Sequence, residues 1–113
     1  MADDVPGVRA VTEDVWLDVA AQELVTEQGP VDLTSLEFRL LRYFLDHAGR
    51  VLRRAQLIDD IWEPGEITTD RVIDQYVCQL RQKIEPDPKR PRYLLTKRGD
   101  GYRYQPPIRR AKR

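Results

Sequence analysis

The sequence has few of the residues that redox, metal or membrane proteins depend on. Its 113 residues include one cysteine, Cys78, and one histidine, His47. A lone cysteine cannot form an internal disulfide and lacks the CxxC spacing and histidine partners of a zinc site, so we expect a reducing, cytoplasmic setting and no metal or other cofactor. No apolar run approaches the roughly 18–20 residues of a membrane helix, and the acidic start MADDVPGV does not resemble a signal peptide. We therefore expect no membrane association.

Enzymatic chemistry is also poorly supported. His47 is expected near the end of a helix, where the helix dipole favours an imidazole without any catalytic role. Asp59 and Asp60 are adjacent, and their side chains point about 100° apart on a helix, which argues against a shared acid/base or metal role. No nucleophile and base stand at a suggestive spacing. We predict that the protein is not an enzyme.

The formal net charge of zero conceals a division along the chain. Residues 1–70 hold six basic and fifteen acidic side chains, and residues 71–113 hold thirteen basic and four acidic ones. The two parts therefore carry charges of −9 and +9. Only four of the basic residues lie in the last five positions, so a basic tail does not account for the division. The positive part can face a polyanion such as DNA, while the acidic part faces solvent or a protein.

The first third of the chain is expected to form a small antiparallel sheet. Residues 1–8 are acidic, contain Pro6 and Gly7, and form a predicted flexible leader. Short β-prone runs follow, separated by polar residues and a Gln-Gly-Pro turn. These runs are Arg9–Thr12, Val15–Asp18, Glu23–Thr26 and Val31–Leu33.

Two helices are predicted next. Thr34 and Glu37 form a capping box, in which each side chain satisfies a free backbone N–H, and a glycine at position 49 suits the helix stop. A second, shorter helix carries apolar residues between Leu57 and Trp62 and ends before Pro64-Gly65, because proline cannot continue it.

A third helix is predicted over about residues 69–84, with Thr68 or Thr69 as its cap, and it presents two different faces. Its apolar residues, Ile73, Val77, Leu80 and Ile84, recur on one narrow stripe that should be buried. The opposite face carries Arg71, Gln75, Cys78, Gln79 and Gln82, with Asp74, Arg81, Tyr76 and Lys83 along its borders. Glutamine and arginine can form paired hydrogen bonds with purine edges in a major groove. A merely glutamine-rich solvated surface is the alternative.

The chain then predicts a basic β-hairpin. Tyr93–Thr96 and Tyr102–Tyr104 are β-prone, and the segment 97–101 joins them through two glycines that can adopt positive φ. Lys97, Arg98 and Arg103 place cations at or beside the tip. Three helices followed by such a hairpin is the layout in which one helix enters the major groove and the hairpin touches an adjacent groove.

Four segments in this order carry a resemblance to a known family. LTSLEFRLLRYF, GRVLRRAQLIDDIW, DRVIDQYVCQLRQKIE and LLTKRGDGYRY resemble the OmpR/PhoB-type effector domain of bacterial response regulators over about residues 9–105. The resemblance implies an α+β winged helix-turn-helix with an N-terminal four-stranded antiparallel sheet, three helices and a C-terminal hairpin wing. It also implies sequence-specific binding of double-stranded DNA in two-component transcription regulation, often as head-to-tail pairs. Residues 106–113 would be a basic tail.

The same resemblance assigns roles to single residues. It places Arg71 at a DNA-contacting position, Arg81 and Lys83 at the basic end of the recognition helix, and Thr96 and Arg98 at wing positions near backbone and minor groove. With the exposed face described above, the expected DNA-contacting set is Arg71, Gln75, Tyr76, Cys78, Gln79, Arg81, Gln82, Lys83, Thr96, Lys97 and Arg98. The loop Trp62–Asp70 matches a segment that touches RNA polymerase subunits in the family, and its acids Glu63, Glu66 and Asp70 suit a basic partner.

Departures from the family leave alternatives open. Gln79 replaces an arginine of some relatives and Tyr76 a frequent histidine, so the DNA target is expected to differ. Arg53 stands where a serine or threonine often caps the second helix, which predicts an uncapped helix. No receiver domain fits within 113 residues, so the chain is either a fragment or a free-standing regulator. The competing hypothesis is a winged helix that binds proteins through its acidic part or the 62–70 loop.

Overall fold

The computed structural model describes residues 7–66, 68–99 and 101–107 and has two small sheets around three helices. The predicted leader and tail lie mostly outside these residues. The elements are β1 (Val8–Ala10), β2 (Trp16–Asp18), β3 (Glu23–Thr26), β4 (Gly29–Asp32), α1 (Ser35–Asp46), β5 (Leu52–Arg53), α2 (Arg54–Ile61), α3 (Asp70–Ile84), β6 (Leu94–Lys97) and β7 (Gly101–Tyr104). This is the predicted α+β winged helix-turn-helix.

The N-terminal sheet is a four-stranded antiparallel meander in the order β1-β2-β3-β4, as expected. Leu17 and Leu24 are directly opposite across β2 and β3, and both are fully buried. The fourth strand starts at Gly29, two residues before the prediction, because Gly29 at φ 110° makes the tight turn that pairs it with Thr26.

The helix starts follow their caps. In α1 the Thr34 hydroxyl accepts from the Glu37 amide, and the Glu37 carboxylate accepts from the Thr34 amide at 2.9 Å, so the predicted capping box is confirmed. Thr69 caps α3. Helix α2 begins at Arg54 with Arg53 as N-cap and has no side-chain cap hydrogen bond, as the sequence predicted.

The wing is a three-stranded sheet rather than an isolated hairpin. The short strand β5 was not predicted, and it pairs with β7 to give the order β5-β7-β6. Two residues are too few to show an alternating pattern, so the sequence carries no signal for this strand. Its pairing fixes the tip end of the wing to the start of α2.

Close approach between β5 and β7 depends on Gly101. A Cβ atom built on Gly101 would lie 2.0 Å from the Leu52 carbonyl oxygen, so no side chain fits there without moving the backbone. Gly99 differs, because its positive φ of 76° serves the turn while the space beside it is open.

The core joins both sheets to the helices. Its apolar stripe from α3 comprises Ile73, Val77, Leu80 and Ile84, the predicted set, and all four are buried. Tyr104 is also buried, and its hydroxyl donates to the Val11 carbonyl at 2.5 Å, which ties the wing to the N-terminal sheet across 93 residues of sequence.

Two buried carboxylates are satisfied within the fold. Glu37 accepts from Lys83 Nζ at 2.7 Å in addition to its capping bond. Glu85, the C-cap of α3, accepts from the backbone amides of Arg92, Tyr93 and Leu94 and so fixes the start of β6. Burial of a charge is tolerated only with such partners.

Replacing Gly101 should therefore be far more damaging than replacing Gly99. We expect Gly101→Ala to lower the free energy of unfolding by about 3 kcal/mol, since the backbone must shift to admit a methyl group. Gly99→Ala should cost only about 1 kcal/mol, from its left-handed backbone. Urea titration of both variants measures this difference, and equal losses would refute the close-approach explanation.

Candidate nucleic-acid interface

Helix α3 presents an exposed polar face with no acid in its middle. Arg71, Gln75, Cys78, Gln79 and Gln82 are all exposed. None of these side chains has a hydrogen bond or ion pair to another described residue, so their donors and acceptors are available to a ligand. This is the arrangement that the sequence predicted for the helix.

Asp74, the acid at the border of this face, is engaged on the inner side. Its Oδ1 accepts from Arg54 Nε at 2.9 Å and from the hydroxyl of Tyr102. Burial and the hydrogen bond to Asp74 raise the pKa of Tyr102 to about 12, so the phenol remains a donor at neutral pH. The guanidinium carbon of Arg54 lies 5.3 Å from the Tyr102 ring centroid. Three elements, α2, α3 and β7, meet at this carboxylate.

Arg81 and Thr96, both predicted to contact DNA, are joined to each other. Arg81 Nε and Nη2 donate to the Leu94 carbonyl at 3.0 and 2.8 Å, and Nη2 also donates to Thr96 Oγ1 at 2.9 Å. The guanidinium lies 5.6 Å from the Tyr102 ring centroid. Arg81 therefore holds α3 against β6 and sets the angle between the helix and the wing.

Lys83 and Tyr76 are also tied within the domain. Lys83 Nζ donates to Glu37 Oε1 and, at 2.8 Å, to the Asp32 carbonyl, which directs it toward the N-terminal sheet. Tyr76 is half-buried, and its ring packs edge-on against Trp62 at 6.1 Å. Their placement favours structural roles over the DNA contacts expected from sequence. A helical wheel places both residues on a border, where packing and solvent exposure cannot be distinguished.

The wing carries cations toward its tip. Arg98 is exposed and Lys97 half-exposed, and neither side chain has a partner among the described residues. Gly99 makes the turn at positive φ. Position 100 lies outside the described residues.

The predicted polymerase-contact loop is held by a basic residue of its own domain. Arg39 of α1 donates to the Ile61 carbonyl at 2.7 Å, and its guanidinium lies 3.5 Å from Glu63 and 3.8 Å from Glu66. These two acids are therefore partly neutralised within the domain. Asp70 is exposed in the first turn of α3. Residue 67 of this loop lies outside the described part of the chain.

Over the described ranges, no group of three or more histidine, cysteine or acidic residues is placed to hold a metal ion. The helices within those ranges are too short or too polar to cross a membrane.

Comparison with known proteins agrees with this geometry. A family model described as transcriptional regulatory protein, C terminal, matches residues 27–104. The KDP operon transcriptional regulatory protein KdpE of Escherichia coli is 42% identical over 91 residues, which are 80% of this chain and 40% of KdpE. The chain thus spans well under half the length of that relative.

Solved structures share the fold. Response regulator DrrB of Thermotoga maritima, an OmpR/PhoB homologue, superimposes with a TM-score of 0.77 at 30% identity over 88% of this chain and 44% of DrrB. The DNA-binding domain of Bacillus subtilis CssR gives 0.68 at 34% identity over 80% of this chain and 99% of that domain. The chain belongs to the family of C-terminal domains of transcriptional regulatory proteins and has the OmpR/PhoB-type winged-helix fold.

Proposed function

We propose that this domain binds double-stranded DNA sequence-specifically to regulate transcription, with α3 in the major groove and the 97–101 wing at the adjacent minor groove. The observation that carries the proposal is the exposed, acid-free face of α3 beside a wing with free cations. The relatedness to a transcriptional regulatory protein and to the DNA-binding domain of CssR supports it.

The dimensions of α3 suit a groove. From Arg71 to Gln82 the helix rises about 16 Å, which corresponds to four or five base pairs at about 3.4 Å each. Glutamine pairs with adenine N6 and N7, whereas arginine at the start of the helix can contact either guanine or phosphate. Gln75 and Gln79 are thus the proposed base-contacting residues, with Cys78 and Gln82 beside them.

The wing is held in position before DNA arrives. Arg81 joins α3 to β6, and Asp74 joins α3 to Tyr102 of β7. Because the angle between helix and wing is fixed by these contacts, little ordering is needed when both grooves are engaged. In this proposal Arg81 and Thr96 act by positioning Arg98.

Proteins are a second class of proposed partner. Asp70 and the partly neutralised Glu63 and Glu66 remain the basis for an RNA polymerase contact. A head-to-tail pair on DNA would place the basic part of one copy near the acidic part of the next. The matched region covers 40% of KdpE. By analogy with that longer protein, we propose that a receiver domain controls this domain.

DNA binding should depend steeply on salt and on Arg98. Part of the positive charge after position 70 provides phosphate contacts, and the loss of one contact makes the slope of log K against log[salt] less negative by about 0.9. We expect Arg98→Ala to weaken binding about tenfold, or roughly 1.4 kcal/mol. The free energy of unfolding should hardly change, because the side chain is exposed.

A fluorescence anisotropy titration at several salt concentrations measures these effects. Lys89→Ala is the matched control, because Lys89 is an exposed cation in the α3-β6 loop, away from the wing. Absence of binding by the parent domain at low salt would refute the DNA-binding proposal. Equal affinity of parent and Arg98→Ala would remove only the wing from it.

Sequence preference should reside in Gln75 and Gln79. A bidentate glutamine contact discriminates among bases by about 1–3 kcal/mol, so each alanine variant should relax the preference at one base pair. Replacing Arg71 should weaken all duplexes equally if it contacts phosphate, and should remove one base preference if it contacts guanine. Selection from a randomised duplex library distinguishes these outcomes. A Gln75→Ala, Gln79→Ala double variant with unchanged preference would show that α3 does not determine specificity.

A further inference from the structure

The outer face of the wing sheet carries cations from all three of its strands. Residues directly opposite in antiparallel strands point to the same side of a sheet. Arg53 of β5 is opposite Gly101 of β7, and Lys97 of β6 is opposite Gly101 from the other side. Arg53 and Lys97 therefore flank a residue that has no side chain.

The burial pattern identifies this face as the outward one. Leu52, Tyr102 and Leu94, at alternate positions in the three strands, are buried on the inner side. Arg53 is exposed and Lys97 half-exposed, and neither side chain has a hydrogen bond or ion pair to another described residue. Arg103, two residues along β7 and thus on the same face, has a buried Nε atom without a hydrogen-bond partner. The described residues of the outer face include no acid.

The end of α2 at Arg53 adds to the positive potential. Arg53 is the N-cap of this helix, no side chain caps the amides of the first turn, and that turn contains no acidic residue. The acid nearest this end of α2, Asp74 of α3, is paired with Arg54, and the helix dipole favours an approaching phosphate.

We propose that Arg53 and Lys97 form a two-sided phosphate clamp that holds the two rims of the minor groove when the wing tip enters it. Two strand spacings separate them by about 10 Å, which is wider than the roughly 6 Å minor groove. A wing tip centred on the groove thus brings one cation over each phosphate-bearing strand. The clamp rests on the proposed DNA binding and assigns Arg53 a part in it.

Three single-cation variants test the clamp on a duplex first selected with the parent domain. Arg53→Ser and Lys97→Ser should each weaken binding about tenfold. Each should also make the slope of log K against log[salt] less negative by about 0.9. Arg90→Ser, which removes an exposed cation of the α3-β6 loop, should change affinity less than about twofold. Unchanged affinity of Arg53→Ser would overturn the clamp.

Thermal unfolding separates a binding role from a structural one at Arg53. Serine is a favoured N-cap residue, so Arg53→Ser should raise the melting temperature by supplying the missing cap of α2. We therefore expect a more stable variant that binds more weakly. If the melting temperature fell together with the affinity, the loss would be structural and Arg53 would not be assigned to the clamp.

Neutral methylphosphonate linkages then assign each cation to a strand. Linkages are placed one at a time along each strand of the selected duplex, and affinity is measured for the parent and both variants. In the parent, a neutral linkage at a clamped phosphate should weaken binding. In Arg53→Ser this loss of affinity should disappear for linkages on one strand, and in Lys97→Ser for linkages on the other strand. A loss on the same strand for both variants would overturn the two-sided geometry while leaving DNA binding intact. No binding by the parent would instead refute the proposed function.

Discussion

The packing of α3 against the wing depends on the hydrogen bonds that the Asp74 carboxylate accepts. This carboxylate receives hydrogen bonds from Arg54 of α2 and Tyr102 of β7 while belonging to α3. Without it, the inner side of Tyr102 would face two guanidinium groups, those of Arg54 and Arg81, with no negative charge between them. The acid at the border of the polar face is thus part of the domain's internal support.

Some of the basic residues of the C-terminal part have partners inside the domain, and others are free on its surface. Lys83 neutralises Glu37, and Arg81 binds carbonyl and hydroxyl oxygens of β6. The cations without a partner among the described residues of α3 and the wing sheet are Arg53, Arg71, Lys97, Arg98 and Arg103. Net charge therefore overstates the charge available to DNA, and the free cations lie where the two grooves would be contacted.

Sequence reasoning recovered the elements whose signals are local. The Thr34-Glu37 box, the four-residue apolar stripe of α3 and the glycines of the wing each depend on residues within one or two turns. Strand β5 could not be found, because two residues show no periodicity. The pairing of Lys83 with Glu37 joins positions 46 residues apart, and that of Tyr102 with Asp74 joins positions 28 apart. Such contacts are set by packing, so the sequence does not show that residues on the border of a helical face have partners inside the domain.

Two departures from locally favourable choices lie on one surface. The first turn of α2 lacks a side-chain cap, and an arginine occupies the capping position. The outward face of α3 carries glutamine, cysteine and arginine without the acidic partners that usually stabilise a solvated helix. The other two helices show no such cost at their starts, since α1 has a full capping box and α3 has Thr69. At these two places, beside the wing and along α3, local stability is lower than it need be, as expected if that surface gains its compensation from a bound polyanion.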